Sequence, residues 1–261
     1  MRLKDRVAIV TGANSGIGRE IADCFAKQGA MVVVVARNEA RTYQTVEEIK
    51  AAGGKAVGYQ VDVSQQEQTR ELMDKVAAQY GRIDILVNNA GITRYRPFAT
   101  MTGEDWDLVL AVDLKGVFFC TQAAAPHMIR QHYGRIVNIS SAAGTGSTPG
   151  ASAGSPGATA PYAAAKAGVN MLTKTLAREL GPHGVTVNCV APGTFATPIS
   201  TSTRTPEQLA EHLEGRKKVT VLQRIGTLKE VATSVLFFAS DDSSYVTGQT
   251  LCVDGGRFDR M

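Results

Sequence analysis

The stretch Val7-Ala8-Ile9-Val10-Thr11-Gly12-Ala13-Asn14-Ser15-Gly16-Ile17-Gly18 decides the fold. Val7–Val10 is a short apolar run, largely β-branched, which suits a strand buried on both faces. Helical periodicity then begins at Ile17 and runs to Gln28. Between the two, three glycines allow a tight turn and a close backbone approach by a ligand. A helix opening straight after such a turn presents free N–H groups and the positive end of its dipole. The spacing is G-x-x-x-G-x-G rather than G-x-G-x-x-G. Its strand–turn–helix setting points to a dinucleotide pyrophosphate held by Gly12, Asn14, Ser15, Gly16, Ile17 and Gly18. The plainer reading is a tight βα turn with no ligand.

The same rhythm continues outward. Apolar runs at Met31–Ala36, Ala56–Val61, Ile83–Val87, Arg135–Ile139, Thr186–Val190 and Thr250–Val253 read as further strands. Helical stretches separate them. One is capped by Asn38 and ends at Gly53-Gly54; another is capped by Ser64 and runs to Tyr80. A third opens with Thr102-x-x-Asp105, a capping-box pattern, and continues to His132. Tyr162–Leu180 and Leu228–Ala239 are helical too. Continuous apolar strands alternating with helices predict an α/β chain: a doubly wound, Rossmann-type parallel sheet with helices on both faces. No second β/α series or long linker interrupts residues 1–261, so one domain is expected.

Composition narrows the function classes. The 261 residues are 44% hydrophobic and 20% charged, which is ordinary for a globular chain. The net charge of +4 and the lack of a dense basic block argue against a nucleic-acid partner. Arg216-Lys217-Lys218 reads as a solvated helix end or loop. No run of 18 apolar residues or secretory leader is apparent, so no membrane association is expected. Cys24, Cys120, Cys189 and Cys252 are widely spaced and read as reduced thiols in a cytoplasmic protein. The four histidines lack metal-ligand spacing, and no metal is expected.

The end of the second strand addresses the coenzyme. An acid there would suit the ribose 2′-hydroxyl of NAD(H), whereas a base suits a 2′-phosphate. The residues are Val34-Val35-Ala36-Arg37-Asn38, with no acid and with the planar fork of Arg37. NADP(H) is therefore favoured. If Arg37 is merely solvated, NAD(H) is also accepted.

Tyr162-Ala163-Ala164-Ala165-Lys166 places Tyr and Lys on one helix face, and Ser141 follows the fifth strand. With the glycine turn, Asn88-Asn89-Ala90-Gly91, Pro192-Gly193 and Val246-Thr247-Gly248-Gln249, this order resembles the main group of the short-chain dehydrogenase/reductases over nearly the whole chain. The pattern is similar to 3-oxoacyl-carrier-protein reductases. It is also similar to sugar-acid, polyol and hydroxysteroid dehydrogenases. The resemblance implies an oxidoreductase that interconverts a ketone and a secondary alcohol. Tyr162 would exchange the proton, Lys166 would favour the phenolate and hold the nicotinamide ribose, and Ser141 would orient the substrate oxygen. Ser140 is expected to face the other way. A free phenol has a pKa of about 10, and Lys166 together with the nicotinamide cation is expected to depress Tyr162. By position, Asp62 and Val63 would meet the adenine, and Asn89, Ala90 and Gly91 would lie along the coenzyme. Pro192, Gly193 and Thr197 would meet the nicotinamide. Asn188 would brace the sheet edge. A non-catalytic NADP-binding regulator is the rival reading, disfavoured by the complete Ser141, Tyr162 and Lys166 set.

Two departures stand out. Asp113, in Val112-Asp113-Leu114-Lys115-Gly116, occupies a position where the family often has Asn, which holds a water linked to the catalytic Lys. Either the main-chain carbonyl holds that water, or the side-chain amide is required and the relay weakens. Ser141 and Tyr162 are separated by an added Gly/Ser/Pro-rich segment within Ala142–Pro161. That segment is either a lid over the substrate or a tolerated surface insertion. Residues 194–216 read as a flap containing a short helix at Pro206–Glu214. Arg94, Tyr95 and Arg96 either meet an anionic substrate or are solvated. The family usually forms homotetramers through its two long central helices and last strand. Gly116–Ala125 and the helix after Tyr162 would supply that contact unless they are core.

Overall fold

In a computed structural model of the protein, which describes residues 1–146, 160–197 and 205–256, the chain forms one seven-stranded sheet. The strands are β1 (Val7–Thr11), β2 (Met31–Ala36), β3 (Lys55–Gln60), β4 (Ile85–Asn88), β5 (Gly134–Ile139), β6 (Val185–Pro192) and β7 (Thr250–Val253). All neighbouring pairs are parallel, in the order β3-β2-β1-β4-β5-β6-β7. Pairing runs Val7 with Met31, Ala8 with Ile85, Ile85 with Arg135, Gly134 with Val185 and Cys189 with Thr250. The expected doubly wound α/β sheet is the observed one. Its order reverses between β1 and β4, which opens a crevice at the C-terminal strand ends.

Strand alternation divides the core in two. Ala8, Val10, Val32, Val34 and Val137 face α1 (Gly16–Lys27), α2 (Glu39–Ala51) and α8 (Leu228–Ala239). Val7, Ile9, Val33, Leu86 and Ile136 face the other layer, with α3 (Gln66–Tyr80) and α5 (Gly116–Arg130). β1 and β6 are buried along their whole length, as strands covered on both faces must be. Val117 of α5, Val169 of α6 (Ala160–Leu180) and Cys189 of β6 form a third, smaller apolar cluster.

Several boundaries differ from expectation. The helix from Thr102 is not uniform: α4 (Gly103–Leu110) passes through a π turn at Ala111–Lys115 before α5 begins. Ser64 is not the cap of α3. Gln65 holds that position, and the Ser64 N–H and hydroxyl both donate to Asp62 Oδ1, at 2.9 and 2.7 Å. This local Asx turn competes successfully with helix capping. α7 (Pro206–Lys218) extends one turn beyond Glu214, so Arg216, Lys217 and Lys218 form its basic last turn, favourable to the helix dipole. Residues Gly103–Arg130 are long and apolar enough to cross a membrane by composition, but half of the qualifying window is buried inside the protein. Most of the added 142–161 segment, and residues 198–204 of the 194–216 flap, lie outside the described residues.

Candidate active site

The glycine turn joins β1 to α1. Gly12 and Gly16 have φ of 65° and 54°, a region that side chains with a Cβ rarely enter. Gly18 packs so closely on the Asn89 amide and the Gly12 carbonyl that a methyl group there would collide with both. Asn89 Nδ2 donates to the Thr11 carbonyl at 2.8 Å, and the Asn89 and Ala90 N–H groups donate to Thr11 Oγ1, both at 3.0 Å. The end of β4 therefore clamps the turn. Ser15, at the N-cap of α1, makes no side-chain capping bond, and the first helical turn carries no acid. The cradle fits a pyrophosphate: its glycines admit close approach, and free helix N–H groups and dipole favour the anion.

Arg37 lies exposed just beyond buried Ala36 at the end of β2, and its carbonyl accepts from Gln60 Nε2 at 3.1 Å. Asp62 follows β3 with one carboxylate oxygen committed to Ser64. The Val63 side chain is buried against Gly116, which leaves its backbone as the part able to face a ligand. At the other side of the crevice, Pro192 ends β6 and the Gly193 N–H donates to the Val253 carbonyl at 2.9 Å. A Cβ on Gly193 would lie 2.6 Å from the Asp254 Cβ. Thr197 is partly buried beyond Phe195.

Ser141, Tyr162, Lys166 and Asp113 converge beside Gly91. Lys166 is 3% exposed and donates to the Ile139 carbonyl at 3.1 Å. Its Nζ lies 3.2 Å from Asp113 Oδ2 and 5.5 Å from the Tyr162 ring centre. The Asp113 contact is an ion pair rather than an aligned hydrogen bond, since Oδ2 has no hydrogen-bond partner. Asp113 Oδ1 accepts the Ile92 N–H at 2.8 Å, which ties the π turn to the loop after β4. Ser141 Oγ accepts the Ala143 N–H at 3.1 Å in the turn leading away from β5. Ser140 faces elsewhere and donates to the Lys166 carbonyl at 2.9 Å, which anchors α6.

Charge follows burial here. Desolvation pushes the Tyr162 phenol up; Lys166 opposes that rise, Asp113 adds to it, and Ser141 opposes it more weakly. The net direction for the protein's own groups is upward; the expected depression combines Lys166 with the nicotinamide cation of the coenzyme. Lost hydration outweighs one ammonium whose field is shared with a carboxylate. Burial works against the Lys166 charge, but Asp113 and Tyr162 leave its pKa raised overall. Burial also pushes Asp113 up, against Lys166 and the Ile92 N–H.

Beneath the site runs a polar chain to which the sequence alone assigns no role. Asn88 Nδ2 donates to Thr121 Oγ1 and Asn138 Oδ1 at 3.0 and 2.9 Å, and Asn138 Nδ2 donates to Thr173 Oγ1 at 2.9 Å. Thr11 is likewise silent in the sequence; its one signal is a hydroxyl at the end of a buried strand. Asn188 donates to the Val246 carbonyl at 2.8 Å and accepts from the Gln249 N–H at 3.1 Å, so it braces β6 against the segment before β7. Arg94 and Arg96 both approach Asp105 of α4, at 4.0 and 3.0 Å, while remaining about half exposed.

Comparison with known proteins agrees with this architecture. A family profile described as enoyl-(acyl carrier protein) reductase matches residues 12–257. The 3-oxoacyl-[acyl-carrier-protein] reductase FabG of Thermotoga maritima is 45% identical over 98% of this chain and 99% of its own. The short-chain reductase protein NovJ of Streptomyces niveus is 44% identical over 97% and 94%. Among solved structures, a gluconate 5-dehydrogenase from Burkholderia cenocepacia, in complex with NADP and tartrate, matches with a TM-score of 0.88 at 36% identity, over 97% of this chain and 95% of that one. The chain belongs to the short-chain dehydrogenase/reductase family. Within it, the protein is an NAD(P)-dependent oxidoreductase acting on CH–OH and C=O groups.

Proposed function

We propose that the protein is an NADP(H)-dependent ketoreductase of the 3-oxoacyl reductase type, with Tyr162 as proton donor. The observation that carries this reading is the convergence of Ser141, Tyr162 and the buried Lys166 at the strand ends, across the crevice from the glycine cradle. Bound NADPH would supply a hydride to the substrate carbonyl carbon. Tyr162 gives its hydroxyl proton to the carbonyl oxygen, so the ketone gains one hydride and one proton and becomes an alcohol. Ser141 donates a hydrogen bond to the same oxygen as charge builds on it. Lys166 has three N–H donors. One is given to the Ile139 carbonyl and its charge faces Asp113, which leaves donor capacity for a ribose hydroxyl. Asn89, Ala90, Gly91, Asp62, Val63, Pro192, Gly193 and Thr197 line the path of the coenzyme.

Arg37 supports NADP(H): its exposed guanidinium suits a 2′-phosphate, and Ala36-Arg37-Asn38 at the end of β2 contains no acid. The chemistry runs in either direction, so a sugar-acid dehydrogenase is the second reading, supported by the gluconate 5-dehydrogenase neighbour. A homotetramer is part of the proposal, supported by an apolar groove of about 850 Å³ between α4, α5 and α6, lined by Leu110, Leu114, Phe118, Met171 and Leu172. None of these residues belongs to the candidate site. Cys24, Cys120, Cys189 and Cys252 form no disulfide with one another, which suits a reducing, cytoplasmic setting.

The test is consumption of NADPH and NADH with 3-oxoacyl thioesters, simple ketones and keto-sugar acids. NADPH-dependent turnover of the thioesters is expected, falling about 10²–10⁴-fold in Tyr162→Phe. Turnover only with keto-sugar acids would favour the second reading. Undiminished turnover in Tyr162→Phe would overturn the proton-transfer assignment.

A further inference from the structure

The π turn at Ala111–Lys115 puts a carboxylate where the chemistry places only a hydroxyl, a phenol and an ammonium. Asp113 has no exposed surface, and its Oδ2 faces the ammonium of Lys166 at 3.2 Å. Its other oxygen is fixed by the Ile92 N–H. Gly91 closes the arrangement: a Cβ there would stand 2.9 Å from Asp113 Oδ2 and 3.4 Å from Lys166 Nζ. The chain therefore leaves room for a direct ion pair by having no side chain at that point. Deep in a protein, an ammonium paired with a carboxylate projects a weaker field onto a neighbouring phenol than an unpaired one does.

We propose that Asp113 is a positioning residue: as the buried counter-ion of Lys166 it fixes the ammonium beneath Tyr162 and withdraws part of its positive field from the phenol. This rests on the reading of Tyr162 and Lys166 given above. The consequence is a tyrosine that holds its proton to higher pH than it would beside a lysine faced by a neutral amide. Such a setting favours the protonated, proton-donating form and hence carbonyl reduction. The charges around the pair support the assignment. Lys166 is faced by Asp113 from the π turn, Tyr162 from its own helix and Cys189 from β6. Tyr162 is also faced by Ser141 after β5 and by Tyr95 from the loop after β4. Burial pushes the Cys189 thiol up to about 11, so it is uncharged at neutral pH. Asp113 is thus the anion that balances Lys166. The same carboxylate acts in the upward direction on both Tyr162 and Lys166.

The experiment compares the protein with Asp113→Asn and Asp113→Ser. Both remove the charge; the first keeps the shape and the Ile92 contact, and the second covers the case in which the amide misfolds. Two readouts are taken. One is the pH dependence of alcohol oxidation, whose rising limb reports loss of the Tyr162 proton. The other is the ultraviolet tyrosinate titration of each protein minus that of the same protein carrying Tyr162→Phe, which reports Tyr162 without requiring turnover. We expect both midpoints to fall by about one pH unit in the uncharged variants, the usual scale for one nearby charge. On the rising limb that is a rate gain of about tenfold at fixed pH. Unmoved midpoints would overturn the proposal, as would a shift to higher pH. Full turnover in Tyr162→Phe would instead overturn the proton-transfer reading, while the titration difference still decides the role of Asp113.

Discussion

At the scale of single residues, electrostatics separates what each side chain can do from what its type suggests. Arg37 is a cation at an exposed strand end, so its contribution to coenzyme choice depends on the partner it meets rather than on burial. Replacing Ala36 by Asp sets a carboxylate at the end of β2, where the ribose of the proposed coenzyme would lie. That carboxylate would repel a phosphate and accept from a hydroxyl. The ratio of kcat/KM for NADPH over NADH should fall about 10- to 100-fold, the worth of one charge-assisted hydrogen bond. Ala36 is only 8% exposed, so thermal unfolding should be measured alongside to confirm the fold. An unchanged ratio in a folded variant would sink the assignment of Arg37. Tyr162 teaches the complementary lesson. Spacing brings it beside Lys166, but the direction of its shift depends on how dry the pocket is and on Asp113, neither of which is written in a Tyr-x-x-x-Lys pattern.

At the scale of elements, the parts legible in the sequence are those with a local physical cause. β2 reads as a buried strand because Met31-Val32-Val33-Val34-Val35-Ala36 has no polar residue to place in water. The start of α4 is readable from Thr102 and Asp105, and both capping bonds are present, Asp105 N–H to Thr102 Oγ1 at 3.1 Å and Thr102 N–H to Asp105 Oδ2 at 3.4 Å. The π turn is not readable, since Ala111–Lys115 carries no Gly or Pro to announce it. Its effect on the site is nonetheless large, because one extra residue in a helical turn rotates the rest of the helix by about 100°. The glycine turn lies between these cases: its glycines are legible, but the clamp on it joins Thr11 to Asn89, 78 residues further along the chain. Gly18→Ala tests that clamp. A methyl group pressed on the Asn89 amide and the Gly12 carbonyl should cost about 1–3 kcal/mol of stability, typical of an overpacked site. It should also weaken NADPH binding, read by fluorescence titration, through displacement of the turn. Wild-type affinity and melting temperature together would mean that the turn accommodates the group and that its tightness is not needed.

At the scale of the whole molecule, α6 serves two surfaces at once. Lys166 points inward to the site, and Met171, five residues on, lies about 140° further round the helix and is 61% exposed. In the same groove Phe118 of α5 is 41% exposed, a large apolar side chain of the kind that solvated helices seldom carry. Sequence pattern could name α5 and α6 as apolar but could not divide their residues between core and surface, because that division depends on how the two helices cross. A second copy seated in the groove would bury this surface and stiffen α6 from outside, holding the Tyr162 and Lys166 face in register with Ser141. Met171→Glu places a charge in the middle of the seam, which costs little in a monomer and much once the groove is covered. Light scattering after size exclusion should show the proposed tetramer reduced to two copies or one, with a lower melting temperature that becomes dependent on protein concentration. Turnover per chain should fall with the loss of assembly and recover partly at high protein concentration. A tetramer that persists in Met171→Glu and in Phe118→Glu would place the seam elsewhere and leave the groove an ordinary solvated face.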